Sequence, residues 1–307
     1  MNIPNDSKIR RREMFLELLT SDRQTGYIDG ATDYELLQPF SLGLSQESKL
    51  WLAFLYSLSY SCTTAMRIYC EYPTISDVNP KSLQAFWEDN KDTLWFNPDR
   101  KYLKNMNQVV PAIKSLYKLS NHNLTQYMTK LLNKGFDEAY KEILATWDYF
   151  GPMGAYLFFD AIYGLTPELY SDPTNLDWKH SGQTVVEGMA HLIYDDKAIE
   201  TKNYDYEKYN RIVNKLVKKS GQPKVIIEST LCLYRKLFKG TRYVGYYADR
   251  QLTECLATAD ILQSKYGIDV WDLREQSMPS VFRGEIHNWN GIRKERLKLF
   301  LNTGEVM

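Results

Sequence analysis

The chain has 307 residues, 44% of them hydrophobic and 14% aromatic, enough to bury a large core and too apolar for a disordered or fibrous protein. Its 38 basic residues balance 38 acidic ones, which excludes indiscriminate nucleic-acid binding driven by bulk charge. There is no uninterrupted apolar run of about 20 residues, and the start MNIPNDSKIRRREMF lacks the apolar core of a secretory signal, so a soluble, cytoplasmic protein without membrane contact is expected.

Residues 1–34 read as a polar N-terminal extension and 35–307 as a single all-α domain. The first strong helical period runs from Leu50, Leu52 and Phe54 through Ala65, Ile68 and Tyr69, and breaks at Pro73. Asn79-Pro80 starts the next helix, with Leu83, Phe86 and Trp87 inward and Gln84, Glu88 and Asp89 outward. Further helices are predicted at 101–118, 122–133, 136–149, 153–163, 182–193, 206–219, 224–237, 246–265 and 289–300. Weak β alternation is confined to Thr241–Val244, and no repeat or low-complexity linker interrupts the pattern.

Between two of these helices lies Phe150-Gly151-Pro152-Met153-Gly154-Ala155-Tyr156. A turn of this kind leaves backbone N–H groups at a helix start able to hold a phosphate, and Gly151 and Gly154 put no side chain in the way; an ordinary turn between core helices reads the same. The helix that follows is expected to end at Gly164 as a C-cap. Asp160 lies within it, a candidate acid or a paired structural one, and Thr166-Pro167 opens a loop carrying Asp172, Asp177 and His180. Either aspartate suits a general base and either suits a turn or cap; Ser181-Gly182-Gln183-Thr184 likewise reads as an anion-binding helix start or a plain N-cap.

Charge concentrates downstream. Between Lys208 and Arg250, eleven basic residues, including Lys218, Lys219, Lys239 and Arg242, face only Glu228 and Asp249, a candidate phosphate surface or a solvated helical face. Beyond it, Tyr246, Tyr247, Arg250 and Glu254 fall on one helical stripe that can offer a guanidinium to a phosphate or carboxylate, though Arg250 with Glu254 also fits a surface ion pair. Cys62, Cys70, Cys232 and Cys255 have no metal-ligand spacing and are expected as buried free thiols, and no metal site or cofactor fingerprint is found.

The turn and the acidic loop after it resemble the helix-hairpin-helix DNA glycosylases, which place a catalytic aspartate at about this distance. More broadly, Trp51-Leu52-Ala53-Phe54-Leu55-Tyr56, Glu71-Tyr72-Pro73, Phe86-Trp87, Asp99-Arg100, Gly151-Pro152, Ala155-Tyr156, Gly182, Gly188 and Tyr246-Tyr247 with Asp249-Arg250 resemble, in order, the phage α-glutamyl/putrescinyl thymine pyrophosphorylases, also called amino acid:DNA transferases. The resemblance spans roughly residues 35–260 and departs at Gly182-Gln183-Thr184, where a more glycine-rich loop belongs. It implies a helix-hairpin-helix glycosylase-like fold and a phage enzyme that flips out a pyrophosphorylated 5-hydroxymethyluracil and lets an amine, from an amino acid or a polyamine, displace pyrophosphate without a cofactor. It further implies Asp172 or Asp177, or else His180, as base, Arg242 and Arg250 on the pyrophosphate or the amino acid carboxylate, and Tyr246 or Tyr247 against the flipped base. A monofunctional DNA N-glycosylase and a non-catalytic DNA-binding protein are the alternatives; the turn lacks the lysine of bifunctional glycosylases.

Overall fold

A computed structural model describes residues 8–20, 24–97, 108–179 and 182–283. Its helices, in chain order, are α1 (Lys8–Leu18), α2 (Leu37–Phe40), α3 (Gln46–Ser59), α4 (Cys62–Glu71), α5 (Pro80–Asn90), α6 (Val109–Ser120), α7 (Leu124–Leu132), α8 (Phe136–Thr146), α9 (Pro152–Leu165), α10 (Gln183–Leu192), α11 (Asp196–Thr201), α12 (Tyr206–Ser220), α13 (Lys224–Phe238), α14 (Tyr246–Tyr266), α15 (Val270–Ser277) and α16 (Ser280–Arg283). No strand occurs among the described residues, and the protein is all-α as its periodicity indicated. The helix expected at 289–300 lies outside the described residues.

Local chemistry fixes most boundaries. Asn79 accepts from the N–H groups of Lys81 and Ser82 with Pro80 at the first helical position, and Asn123 and Asp205 accept from Gln126 and Lys208. The segment read as one helix up to Pro73 is two. Tyr60 turns left-handed (φ 50°), and Ser61 caps α4 by accepting from the Thr64 N–H, so the chain changes direction without a glycine or proline to announce it. Gly164 is not the expected cap: α9 continues to Leu165, and a Cβ on Gly164 would lie 1.9 Å from the Tyr34 ring, so its missing side chain serves helix packing. Thr241–Val244 is a loop, not a strand: its backbone is used in turns, the Thr241 N–H donating to the Lys236 carbonyl and the Tyr243 carbonyl accepting from the Tyr246 N–H, both at 3.1 Å.

The chain divides into two compact units. The first comprises Met1–Asp33, Asn175–Thr253 and Ser277–Met307. Within it α10 and α13 approach so closely that a Cβ on Gly188 would sit 2.2 Å from the Leu231 carbonyl oxygen. Phe15 of α1, fully buried inside the stretch read as a polar extension, meets Tyr234 edge-on at 5.2 Å. The second unit comprises Tyr34–Thr174 and Glu254–Gln276. Its centre is α3, buried from Leu50 to Ser59, with Trp51 stacked on Phe54, Phe54 on Phe150, and the Trp51 indole N–H donated to the Tyr72 carbonyl at 2.7 Å.

Candidate functional site

In the first unit the end of α13 and the loop to α14 gather Arg235, Lys236, Lys239 and Arg242. Glu187, on α10 and only 4% exposed, pairs with two of them: it accepts from Arg235 Nε and Nη2 at 2.6 Å each, from Lys239 Nζ at 3.4 Å and also from Gln183 Nε2 at 2.6 Å. Burial pushes the Glu187 carboxyl up, but its hydrogen bond to Arg235 and the two cations outweigh that and hold it below the usual range. Lys236 donates to the Tyr247 phenol at 2.9 Å; burial works against its charge, yet its neighbours Tyr247 and Cys232 keep the ammonium's pKa above the ordinary value. The Arg242 guanidinium lies 4.0 Å over the Tyr246 ring. Arg235 and Lys239 meet Glu187, while Lys236 and Arg242 lie against Tyr247 and Tyr246, a run of cations suited to a polyanion such as phosphate or pyrophosphate.

The predicted substrate stripe is divided by this geometry. Tyr246 is 5% exposed beneath Arg242, and Tyr247 packs so tightly against Gly30 that a Cβ there would lie 2.8 Å from its ring. Burial raises the Tyr247 phenol to about 12. Arg250 is 6% exposed. Glu254 belongs to the second unit, where its Oε1 accepts from the Ser61 hydroxyl and the Thr63 N–H, both at 2.7 Å, and so completes the start of α4. Lys218 and Lys219 are exposed on the last turn of α12, and Lys239 is half-exposed beside Glu187.

The predicted acids fall in different places. In the second unit Asp172 is exposed and accepts from the Tyr170 phenol at 2.6 Å; Tyr170 packs on Tyr163, and burial with the nearby Asp172 charge pushes both phenols up, so Tyr170 stays a donor. Asp160 is 5% exposed on α9, and its charge is felt by Tyr170. Asp177 belongs to the first unit, partly exposed and next in the chain to Trp178. His180 and Ser181 lie outside the described residues. The turn between α8 and α9 holds Tyr149 left-handed (φ 66°) and 53% exposed, with Met153 42% exposed. A Cβ on Gly151 would meet nothing within 4 Å, whereas one on Gly154 would touch Phe150 at 3.2 Å.

The model of one family, described as amino acid:DNA transferase, matches residues 36–243, two thirds of the chain. The chain belongs to the amino acid:DNA transferase family. No curated protein and no solved structure matches it. Membership makes this a transferase that acts on DNA. The match covers parts of both units of the transferase and includes Asp160, Asp172, Asp177, Arg235, Lys236, Lys239 and Arg242, while Tyr246, Tyr247, Arg250 and Glu254 lie past its end. No helix among the described residues is long and apolar enough to cross a membrane, and no group of three or more His, Cys, Asp or Glu residues there can hold a metal ion. The four cysteines are free thiols, but only Cys62 and Cys255 are buried as expected; Cys70 and Cys232 are partly exposed. Sequence reasoning overlooked Glu187 in this transferase. Its bonded partner Arg235 is 48 residues away, and only the one-turn spacing from Gln183 hints that it is held in place.

Proposed function

We propose that this transferase replaces the pyrophosphate of a pyrophosphorylated 5-hydroxymethyluracil in DNA with an amine drawn from an amino acid or a polyamine. The observation that carries the reading is the run of cations at the end of α13 and in the loop to α14, with Arg235 and Lys239 on the buried Glu187, Lys236 on Tyr247 and Arg242 over Tyr246, in a protein of a DNA-transferase family. The amine nitrogen attacks the exocyclic carbon, the bond from that carbon to the pyrophosphate oxygen breaks, and the electron pair leaves on pyrophosphate. Cations that neutralise this developing charge lower the barrier; the amine must first surrender the proton of its ammonium form. Lys236 and Arg242 hold the leaving group, and Glu187 fixes the positions of Arg235 and Lys239. Asp177 takes the proton, because of the two loop aspartates it is the one in the same unit as these cations. The base leaves the helix to reach the site, and the exposed turn before α9 lies on the DNA backbone.

Nucleoside mass spectrometry tests the reading after incubation of the protein with DNA bearing the pyrophosphorylated base and a mixture of amino acids and polyamines. The expected result is a base that has lost pyrophosphate and gained one amine. Abasic sites would overturn it in favour of a glycosylase, and unmodified DNA that is nonetheless bound would mark a binding protein. Asp177→Asn is expected to cut turnover roughly 10²- to 10⁴-fold, the ordinary worth of a general base, with DNA affinity retained. A loss in Asp172→Asn with none in Asp177→Asn would move the base role to Asp172.

A further inference from the structure

The first unit holds an aromatic cluster that the cation site does not use. Trp178 and Tyr206 lie nearly parallel (9°, centroids 6.5 Å apart), Tyr204 continues the series beside Tyr206 (17°, 6.4 Å), and Tyr209 closes it, 5.5 Å from Trp178 and 6.3 Å from Tyr204. Part of this arrangement is ordinary helix-start packing. Asp205 caps α12, so Tyr204 precedes the cap and Tyr209 stands four residues into the helix, the positions at which two apolar side chains staple a helix entry. Phenylalanine would staple equally well. What packing leaves unexplained is the pair of hydroxyls: the phenol oxygens of Tyr204 and Tyr209 are both buried, and neither has a hydrogen-bond partner. Tyr209 is 0% exposed, whereas Tyr204 and Tyr206 are half-buried and make up the more exposed side of the cluster.

The surroundings favour a cation there. Ring faces attract an ammonium, a phenol oxygen accepts its N–H, and the Asp195 and Asp205 charges act on Tyr209 while that of Glu187 acts on Tyr204. Lys208 offsets Asp195 at 3.3 Å, and Arg235 and Lys239 offset Glu187. The Trp178 indole is fixed by donating to Asn210 Oδ1 at 2.7 Å, and Asp177 is its neighbour in the chain. We propose that Trp178, Tyr204, Tyr206 and Tyr209 form the subsite for the primary ammonium of the amine co-substrate, its N–H groups donated to the Tyr204 and Tyr209 oxygens. This assignment rests on the transferase reading for the ligand's role, and on the unpartnered hydroxyls for its existence.

Isothermal titration of the full chain, without DNA, against putrescine and separately against glycine reads the subsite directly. Tyr204→Phe/Tyr209→Phe removes the two oxygens and leaves every ring in place. The double variant is expected to bind the amine at least about tenfold more weakly than the wild type, with a melting temperature unchanged or raised. Equal affinity in the two proteins, or no amine binding by the wild type, overturns the subsite. The two proposals fail separately. Modified bases formed by the wild type, with an amine KM unchanged in the double variant, sink the subsite alone; amine binding that depends on the phenols, in a protein that modifies no base, sinks the transferase reading alone.

Discussion

Asp29 shows how one buried residue ties the start of α14 to pH. Its Oδ2 accepts from the Gly245 N–H at 2.8 Å, and its Oδ1 accepts from the Tyr27 phenol at 2.7 Å and the Ala248 N–H at 3.3 Å. Burial nevertheless raises its pKa from 3.8 to about 7 against the pull of those three donors. Between these values the folded chain keeps a proton that the unfolded chain has released, so this group's contribution falls as pH rises through that window. Below about pH 4 both states are protonated and the penalty is absent; above about pH 7 it is complete, on the order of 4 kcal/mol. Asp29→Asn cannot ionise but gives up one acceptor oxygen. It is expected to be the less stable protein at pH 5 and to draw level with or overtake the wild type at pH 8. Urea denaturation of both proteins at the two pH values decides it, and parallel pH dependence would mean that Asp29 is ionised throughout.

Helices announced themselves where apolar spacing and a cap coincided, and stayed hidden where long-range contact decided the outcome. Asn79-Pro80 and Asp205 each mark a helix start that α5 and α12 obey, because the cap chemistry is local. The break between α3 and α4 was illegible, since a left-handed Tyr60 is held there by tertiary structure. Glu254, 193 residues from Ser61, supplies the second half of that cap. The candidate site divides the same way: its basic run is plain in the sequence, but Glu187, which organises it, is recognised only once α10 and α13 are side by side. That contact depends on Gly188, where a Cβ would meet the backbone oxygen of Leu231 at 2.2 Å, an atom that cannot rotate away. Gly188→Ala is therefore expected to force the two helices apart and cost roughly 3 kcal/mol, the upper range for overpacking. Because Glu187 and Arg235 sit on those helices, turnover should fall with stability. A urea midpoint unchanged from wild type would show that α10 and α13 are not packed this closely.

At the scale of the whole molecule, neutrality conceals a charge separation that bears on DNA binding. The chain carries no net charge, yet 208–250 holds nine more basic than acidic residues. Much of that excess is committed internally: Lys208 to Asp195, Arg211 to Glu207, Arg235 and Lys239 to Glu187, and Lys236 to Tyr247. Lys215, Lys218 and Lys219 remain exposed on the C-terminal half of α12, where the helix dipole also welcomes them. If they serve only the helix, replacing them leaves DNA affinity alone. If they meet phosphates, each releases a counterion, and the dependence of log K on log salt changes by about 0.9 per contact. Lys215→Gln/Lys218→Gln/Lys219→Gln is expected to weaken DNA binding at low salt and to flatten that slope by roughly 2 to 3, while the amine affinity measured without DNA stays unchanged. Fluorescence anisotropy on duplex DNA over a salt series measures both quantities. An unaltered slope would confine these lysines to stabilising α12 and leave the backbone contacts to the turn before α9 and the cations at the end of α13 and in the loop after it.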